Sequence, residues 1–207
     1  MKRKLKKLAL LLLIAIPLIA CSTYTKVKNT KKLDNYTYTL DKSITFNNEE
    51  TITIKEKGYV YNDIEKRITT IEDKEFTTYY KTKSNDTYMY YMKDDKYVEK
   101  KIPANTYSYL NLIDAKWISY KDNKIELNES AHQKILKLLH IHKYKSDDIE
   151  VADISYKDNG KYLTQINVTL NLLKNKEIVG IANINFTIDE VDTNTNIDIP
   201  YNENKQD

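Results

Sequence analysis

Apolar and polar residues alternate along most of the chain after residue 35. The alternation is clearest at residues 166–172 and 182–188, each with one apolar and one polar side. Because side chains of a strand point alternately to the two faces of a sheet, each run predicts a strand with one buried face. Earlier strands are predicted at residues 36–46, 51–61, 67–71, 76–83, 87–92, 96–101, 117–120 and 125–127.

Short polar turns rich in Asp and Asn separate these strands. They lie at residues 93–96 (KDDK), 121–124 (KDNK), 157–160 (KDNG) and 174–176 (KNK). Asp and Asn tolerate the left-handed backbone conformations that tight turns require. The turns therefore predict hairpins and a mostly antiparallel sheet.

One helix is predicted after the first eight strands. Asn128 suits the N-cap and Glu129 suits the first turn, where a negative charge is favourable. The inward residues of this helix are spaced about one turn apart: Ala131, Ile135, Leu138, Leu139 and His142. A second, weaker helix is predicted over residues 104–114. An antiparallel sheet with one face against one or two helices is an α+β fold.

The first 21 residues form a basic start, an apolar run over residues 8–19 and a single cysteine. The run is shorter than the roughly 20 residues that a membrane-spanning helix needs, and its flanks fit an export signal. The segment Leu18-Ile19-Ala20-Cys21 resembles the lipobox of bacterial prolipoproteins. The resemblance implies cleavage before Cys21 and a diacylglycerol on its sulfur. The alternative is an uncleaved anchor helix with an incidental cysteine.

Charge and length then bound the mature chain. The precursor has 33 basic and 30 acidic residues, but residues 1–20 hold five of the basic ones, which leaves a formal charge of −2. This balance argues against nucleic-acid binding. The single cysteine excludes a disulfide within one chain. We expect a signal peptide at 1–20, a polar tether at 21–35, one β-rich domain at 36–200 and a polar tail at 201–207.

The order of these features resembles the LolA-like and LppX/LprG-like lipoproteins. It comprises the signal and lipobox, Tyr-rich hairpins at residues 76–80, 88–91 and 96–98, a helix, and late strands ending in residues 184–187 and 197–200. The resemblance implies a curved antiparallel half-barrel that is covered by helices and encloses an apolar cavity for acyl chains. Cavity candidates are Tyr88, Tyr90, Ile166, Val168, Leu170, Ile184 and Phe186. For any one of these residues, an ordinary core position is the alternative.

These observations predict a non-enzymatic lipoprotein on the extracytoplasmic face of a membrane. A diacylglyceryl group holds it there, and it binds a lipid or acyl chain. A second hypothesis makes the chain a protein-interaction module of the cell envelope. It would use an exposed sheet face with Tyr79, Tyr80, Tyr90 and Tyr91, because exposed tyrosines supply large contact area at low entropy cost.

Candidate chemistry is sparse. His132, His140 and His142 cluster in sequence, but no carboxylate or cysteine completes a convincing metal site, and solvated histidines are the favoured interpretation. Residues 192–203 superficially match a calcium loop, yet Ile197 stands where that loop needs glycine. Nucleophile elbows, phosphate-binding loops and metalloprotease motifs are absent from the sequence. We therefore expect no metal, no cofactor and no catalytic residues.

Overall fold

The structure is a computed structural model that describes residues 33–48, 50–84, 86–102, 118–121, 124–127, 135, 139 and 145–201. Eleven strands run through these residues. They are β1 (Asn35–Phe46), β2 (Thr51–Tyr61), β3 (Ile64–Ile71), β4 (Lys74–Lys83), β5 (Asp86–Lys93), β6 (Lys96–Ile102), β7 (Ile118–Lys121), β8 (Lys124–Leu127), β9 (Ile149–Asp158), β10 (Leu163–Lys174) and β11 (Glu177–Val191).

Nine of the strands form one sheet in the order β6-β5-β4-β3-β2-β1-β11-β10-β9, and β7 pairs with β8 in a separate hairpin. Every pairing is antiparallel, as the turn composition predicts. Both residues of the β5–β6 turn, Asp94 and Asp95, have positive φ. So do both residues of the β10–β11 turn, Asn175 and Lys176. Two-residue turns of this kind match the twist of the strands that they join.

The main core lies on one face of the sheet, which we call the inner face. It is built where β1, β11, β10 and β9 meet, and Leu40 and Phe186 are opposite each other at its centre with no exposed surface. Ile135 and Leu139 also belong to this core, and the Leu139 N–H donates to the Ile135 carbonyl at 2.9 Å. The alternating pattern of residues 166–172 and 182–188 is confirmed here.

A second core lies on the opposite, outer face, across β2 to β6. Its centre is the pair of Tyr79 and Tyr90, which are 7% and 3% exposed. Residues 193–201, which are not a strand, cross this cluster and add Ile197, Ile199 and Tyr201 to it. One sheet therefore holds two cores on opposite faces, and the chain's own C-terminal segment covers the second.

The predicted α+β fold class is wrong. Apart from Ile135, which is helical, Leu139, which is in a turn, and a 3-10 turn at Ser146–Asp148, the described residues form strands and their connections. They make almost entirely one large open antiparallel sheet instead of a half-barrel covered by helices. The prediction gave the sheet a single apolar face for helices to cover, whereas apolar side chains lie on both faces and the C-terminal segment covers the outer one. The other residues of both predicted helices lie outside the described part of the chain.

Strand β9 was not predicted because a β-bulge interrupts its alternation. The register between β9 and β10 shifts between Thr169 and Leu170, so the core-facing positions of β9 change parity between Val151 and Ile154. A period of two cannot be detected across such a shift. A strand was also expected at residues 197–200. These residues form none, and the segment instead packs across the outer face.

Candidate functional site

A cluster of buried charges lies on the inner face, where β1, β2 and β3 adjoin the main core. We call it the charge cluster, and its members are Tyr38, Lys42, Glu56, Glu65 and Arg67. The Lys42 ammonium donates to Glu56 Oε1 at 2.5 Å, and both side chains are at most 3% exposed. Arg67 Nε lies 3.8 Å from Glu56 Oε2, while Arg67 Nη2 donates to Glu65 Oε1 at 2.6 Å.

The cluster balances two positive against two negative charges. Charges removed from water are costly unless they are paired, and this pairing compensates for the burial. Burial nevertheless lowers the pKa of Lys42 below its ordinary value; contact with Glu56 opposes this shift and the charge of Arg67 adds to it. The cluster thus consists of interlocked ion pairs in a nearly dry environment.

Tyr38 connects the charge cluster to the core. Its hydroxyl donates to Glu65 Oε1 at 2.5 Å and accepts from Arg67 Nε at 3.1 Å. Its ring stacks on Phe186, with centroids 5.2 Å apart. Tyr38 reaches β3 because Gly58 lies opposite it on β2; a Cβ atom at Gly58 would overlap the Tyr38 ring. The glycine makes room for the tyrosine that joins three strands.

A half-exposed apolar surface continues from the charge cluster across β4, β5 and β6. We call it the aromatic strip: Phe76, Tyr80, Met89, Tyr91 and Val98, which all face the inner side by register. Phe76 is 52% exposed and the others are partly buried. The Arg67 guanidinium lies 4.5 Å from the centre of the Tyr80 ring and so joins the strip to the charge cluster.

Charges are segregated between the two faces of β4 to β6, which the structure describes from end to end. The inner face carries four exposed lysines and no carboxylate; they are Lys74, Lys93, Lys96 and Lys100. The outer face mixes both signs: Glu75, Lys81, Lys83, Asp86, Glu99 and Lys101. The turns at one end of these strands are acidic, with Glu72 and Asp73 in one and Asp94 and Asp95 in the other. Lys100 lies opposite Met89, beside the strip.

The predicted cavity residues fall into two groups on opposite faces of the sheet. Five of them are at most 3% exposed and belong to the main core on the inner face: Ile166, Val168, Leu170, Ile184 and Phe186. Tyr88 and Tyr90 lie in the second core on the outer face. The structure does not bring the two groups together.

The four tyrosines of the interaction hypothesis are also divided between the faces. Tyr79 and Tyr90 are buried in the second core, whereas Tyr80 and Tyr91 lie in the aromatic strip. Neighbouring residues of a strand must point to opposite faces, so one surface can hold only one member of each Tyr-Tyr pair. The strip replaces the set of four as the candidate surface.

Other predicted features lie elsewhere. Cys21 and the three histidines are outside the described residues. In the former calcium-loop candidate, Asn194 Nδ2 donates to two backbone carbonyls, those of Tyr36 and Val60, each at 3.0 Å. The described residues contain no group of three or more potential metal ligands. In the part of the chain that the structure describes, no helix is long and apolar enough to cross a membrane.

A surface depression of about 300 Å³ lies at Phe46, Asn47, Asn48, Glu50 and Val179, away from the strip.

The sequence pattern was not used to predict the charge cluster, although it contains charged residues at inward strand positions. Lys42 occupies an inward position in the apolar series of β1, between Leu40 and Ile44. Glu56 likewise takes an inward position two residues before Gly58. A charged residue on the buried side of an alternating strand indicates a buried partner.

Comparisons with protein-family models, with curated proteins and with solved structures give no match for this chain.

Proposed function

We propose that this protein is a non-enzymatic, membrane-anchored lipoprotein that binds an anionic amphiphile on the aromatic strip. The observation that carries the proposal is the combination of a half-exposed apolar strip with four exposed lysines and no carboxylate on the same face of β4 to β6. An anionic lipid has the two matching parts, an apolar chain and a negative headgroup.

The apolar part of the ligand would cover Phe76, Tyr80 and Tyr91. Burial of apolar surface contributes about 25 cal/mol per Å², so covering a few hundred Å² is a substantial driving force. The headgroup would lie near Lys100 and the pair formed by Lys93 and Lys96, which are directly opposite each other. Like charges in that position repel, and a bound anion offsets the repulsion.

The anchor supports the same function. The lipobox resemblance at Leu18-Ile19-Ala20-Cys21 implies a diacylglyceryl group at the start of the mature chain. Two acyl chains give a stable anchor, whereas one chain gives only marginal binding. An anchored domain on the extracytoplasmic side meets phospholipids at high local concentration.

The test uses full-length protein in mild detergent and a fluorescent short-chain phosphatidylglycerol as probe. Lys100→Gln is compared with Lys101→Gln, because these neighbours lie on opposite faces of one strand. We expect Lys100→Gln to weaken binding roughly fivefold, since one lysine contributes about 1 kcal/mol toward an anionic lipid. Lys101→Gln should bind as the parent does. Equal effects of the two changes, or no binding by the parent protein, would overturn the proposal.

A partner protein is the second candidate for the strip, favoured by the 52% exposure of Phe76. A photo-crosslinking amino acid at position 91 separates the two candidates in intact cells. Phospholipid adducts support amphiphile binding. Protein adducts without lipid adducts support an envelope interaction module instead.

A further inference from the structure

The second core has the composition of a peptide-binding groove. Its sheet side consists of six tyrosines and one isoleucine on the outer face of β2 to β6: Tyr59, Tyr61, Ile64, Tyr79, Tyr88, Tyr90 and Tyr97. The Tyr79 and Tyr97 rings meet edge to face, with centroids 5.8 Å apart. We call this surface the tyrosine groove. Aromatic grooves of this kind bind extended, proline-containing peptides, because such peptides lose little conformational entropy on binding.

The chain's own C-terminal segment occupies the tyrosine groove. Ile197, Ile199 and Tyr201 face the sheet, while Asp198 and Pro200 between them are exposed. The Tyr201 ring lies 5.1 Å from that of Tyr90. The segment thus has the pattern apolar-x-apolar-Pro-aromatic, with alternate side chains inserted into the groove.

Side chains, and not a backbone ladder, hold this segment. Among the described residues, the only bond between backbone groups within residues 193–201 joins the Tyr201 N–H to the Ile199 carbonyl at 2.8 Å. No strand pairing connects the segment to the sheet. Its departure would therefore leave every strand pairing intact.

Hydrogen bonds of Asn194 fix the start of this segment. The Asn194 N–H donates to Asn35 Oδ1 at 3.1 Å, and Asn35 Nδ2 donates to the Asn194 carbonyl at 2.9 Å. Together with the two Asn194 side-chain bonds to β1 and β2, these contacts fix the start of the segment independently of the residues beyond it. Residues 197–201 can leave the groove while Asn194 stays in place.

We infer that the tyrosine groove is a binding site for an extended partner peptide of the pattern apolar-x-apolar-Pro-aromatic, and that residues 197–201 are its intramolecular competitor. The inference does not depend on the proposed lipid site, which lies on the other face. A tethered competitor acts at an effective concentration in the millimolar range, so the free peptide binds weakly until the segment is displaced or weakened.

The test uses full-length protein and a fluorescent hexapeptide with the sequence of residues 196–201 (NIDIPY). The variant Ile197→Ser/Tyr201→Ser weakens the resident segment and leaves the groove unchanged. We expect the variant to bind the hexapeptide at least tenfold more tightly than the parent protein does. A control peptide with both isoleucines replaced by serine should not bind. Equal binding by parent and variant, or no binding by either, would overturn the inference.

Two further measurements keep the test decisive. In the variant background, Tyr90→Ala should abolish peptide binding, whereas Met92→Ala should not. Met92 is on the same strand and the same face, is 51% exposed and lies outside the groove. If the double variant does not fold alone, saturating hexapeptide should restore a cooperative unfolding transition. Failure of the peptide to restore folding would count against the site as clearly as failure to bind.

Discussion

The ring of Tyr38 lies directly over Gly58, the residue opposite it on the neighbouring strand. This relationship lets one side chain of β1 cross β2 and reach Glu65 and Arg67 on β3. A missing side chain at one position thereby makes possible a hydrogen-bonded link across three strands.

Gly58→Ala should therefore destabilise the fold. The new methyl group would overlap the Tyr38 ring, and overpacking of a core typically costs about 1 to 3 kcal/mol. We expect a loss near the upper end of that range in the free energy of unfolding measured with urea. In a Tyr38→Leu background the same change should cost less, because the obstructing ring is gone. Additive effects of the two substitutions would contradict this account.

Lys42→Met should cost about 3 to 5 kcal/mol of stability, because it leaves the buried Glu56 carboxylate without its nearest cation. Lys42→Met/Glu56→Leu should recover most of that loss, since both members of the pair are then apolar. Chemical denaturation of the parent, the single variant and the double variant measures the difference. A double variant no more stable than the single one would show that the pair is not the source of the effect.

Alkaline pH should lower the free energy of unfolding of the protein. Burial, and secondarily the charge of Glu65, raises the pKa of Tyr36 well above its ordinary value of about 10. Above pH 10 the hydroxyl of Tyr36 ionises in the unfolded chain but stays protonated in the folded one. Its stabilising contribution is therefore complete below pH 10 and declines as the pH rises further. Tyr36→Phe should reduce the slope of unfolding free energy against pH above 10; an unchanged slope would contradict the assignment.

Phe76→Ser should weaken binding of the short-chain phosphatidylglycerol probe with little effect on the melting temperature, because the ring is half exposed. Met92→Ser is the matched control, since Met92 has nearly the same exposure on the opposite face, 51% against 52%. Fluorescence titration of both variants measures the difference. If the two substitutions weaken binding equally, the strip is not the binding surface.

Local pattern was sufficient to predict most of the strands. The bounds 51–61 are those of β2, and the alternation at 166–172 and 182–188 lies within β10 and β11. The alternation did not reveal β9, because a bulge shifts which residues of that strand face the core. The position of residues 193–201 also escaped prediction, because an extended segment that binds through side chains carries the same alternation as a strand.

The predicted α+β fold class was wrong although most strands were predicted, and the candidate site was less predictable than the strands. Tyr80 and Tyr91 were named as surface candidates together with Tyr79 and Tyr90. Only the pairing register of β4 and β5 shows that Tyr80 and Tyr91 share one face and that Tyr79 and Tyr90 share the other. The charge cluster depends on contacts between β1, β2 and β3. These contacts follow from the strand register, in which Gly58 lies opposite both Tyr38 on β1 and Arg67 on β3. The sequence alone does not give this register.

The placement of two cores on opposite faces of one sheet has a mechanical consequence. Strands β4 to β6 are buried from one side, and strands β9 to β11 from the other, so each half relies on a different set of contacts. The two halves meet at β1 and β2. Each half can therefore open separately. Amide hydrogens in the tyrosine half should therefore exchange with solvent water without loss of protection in the other half.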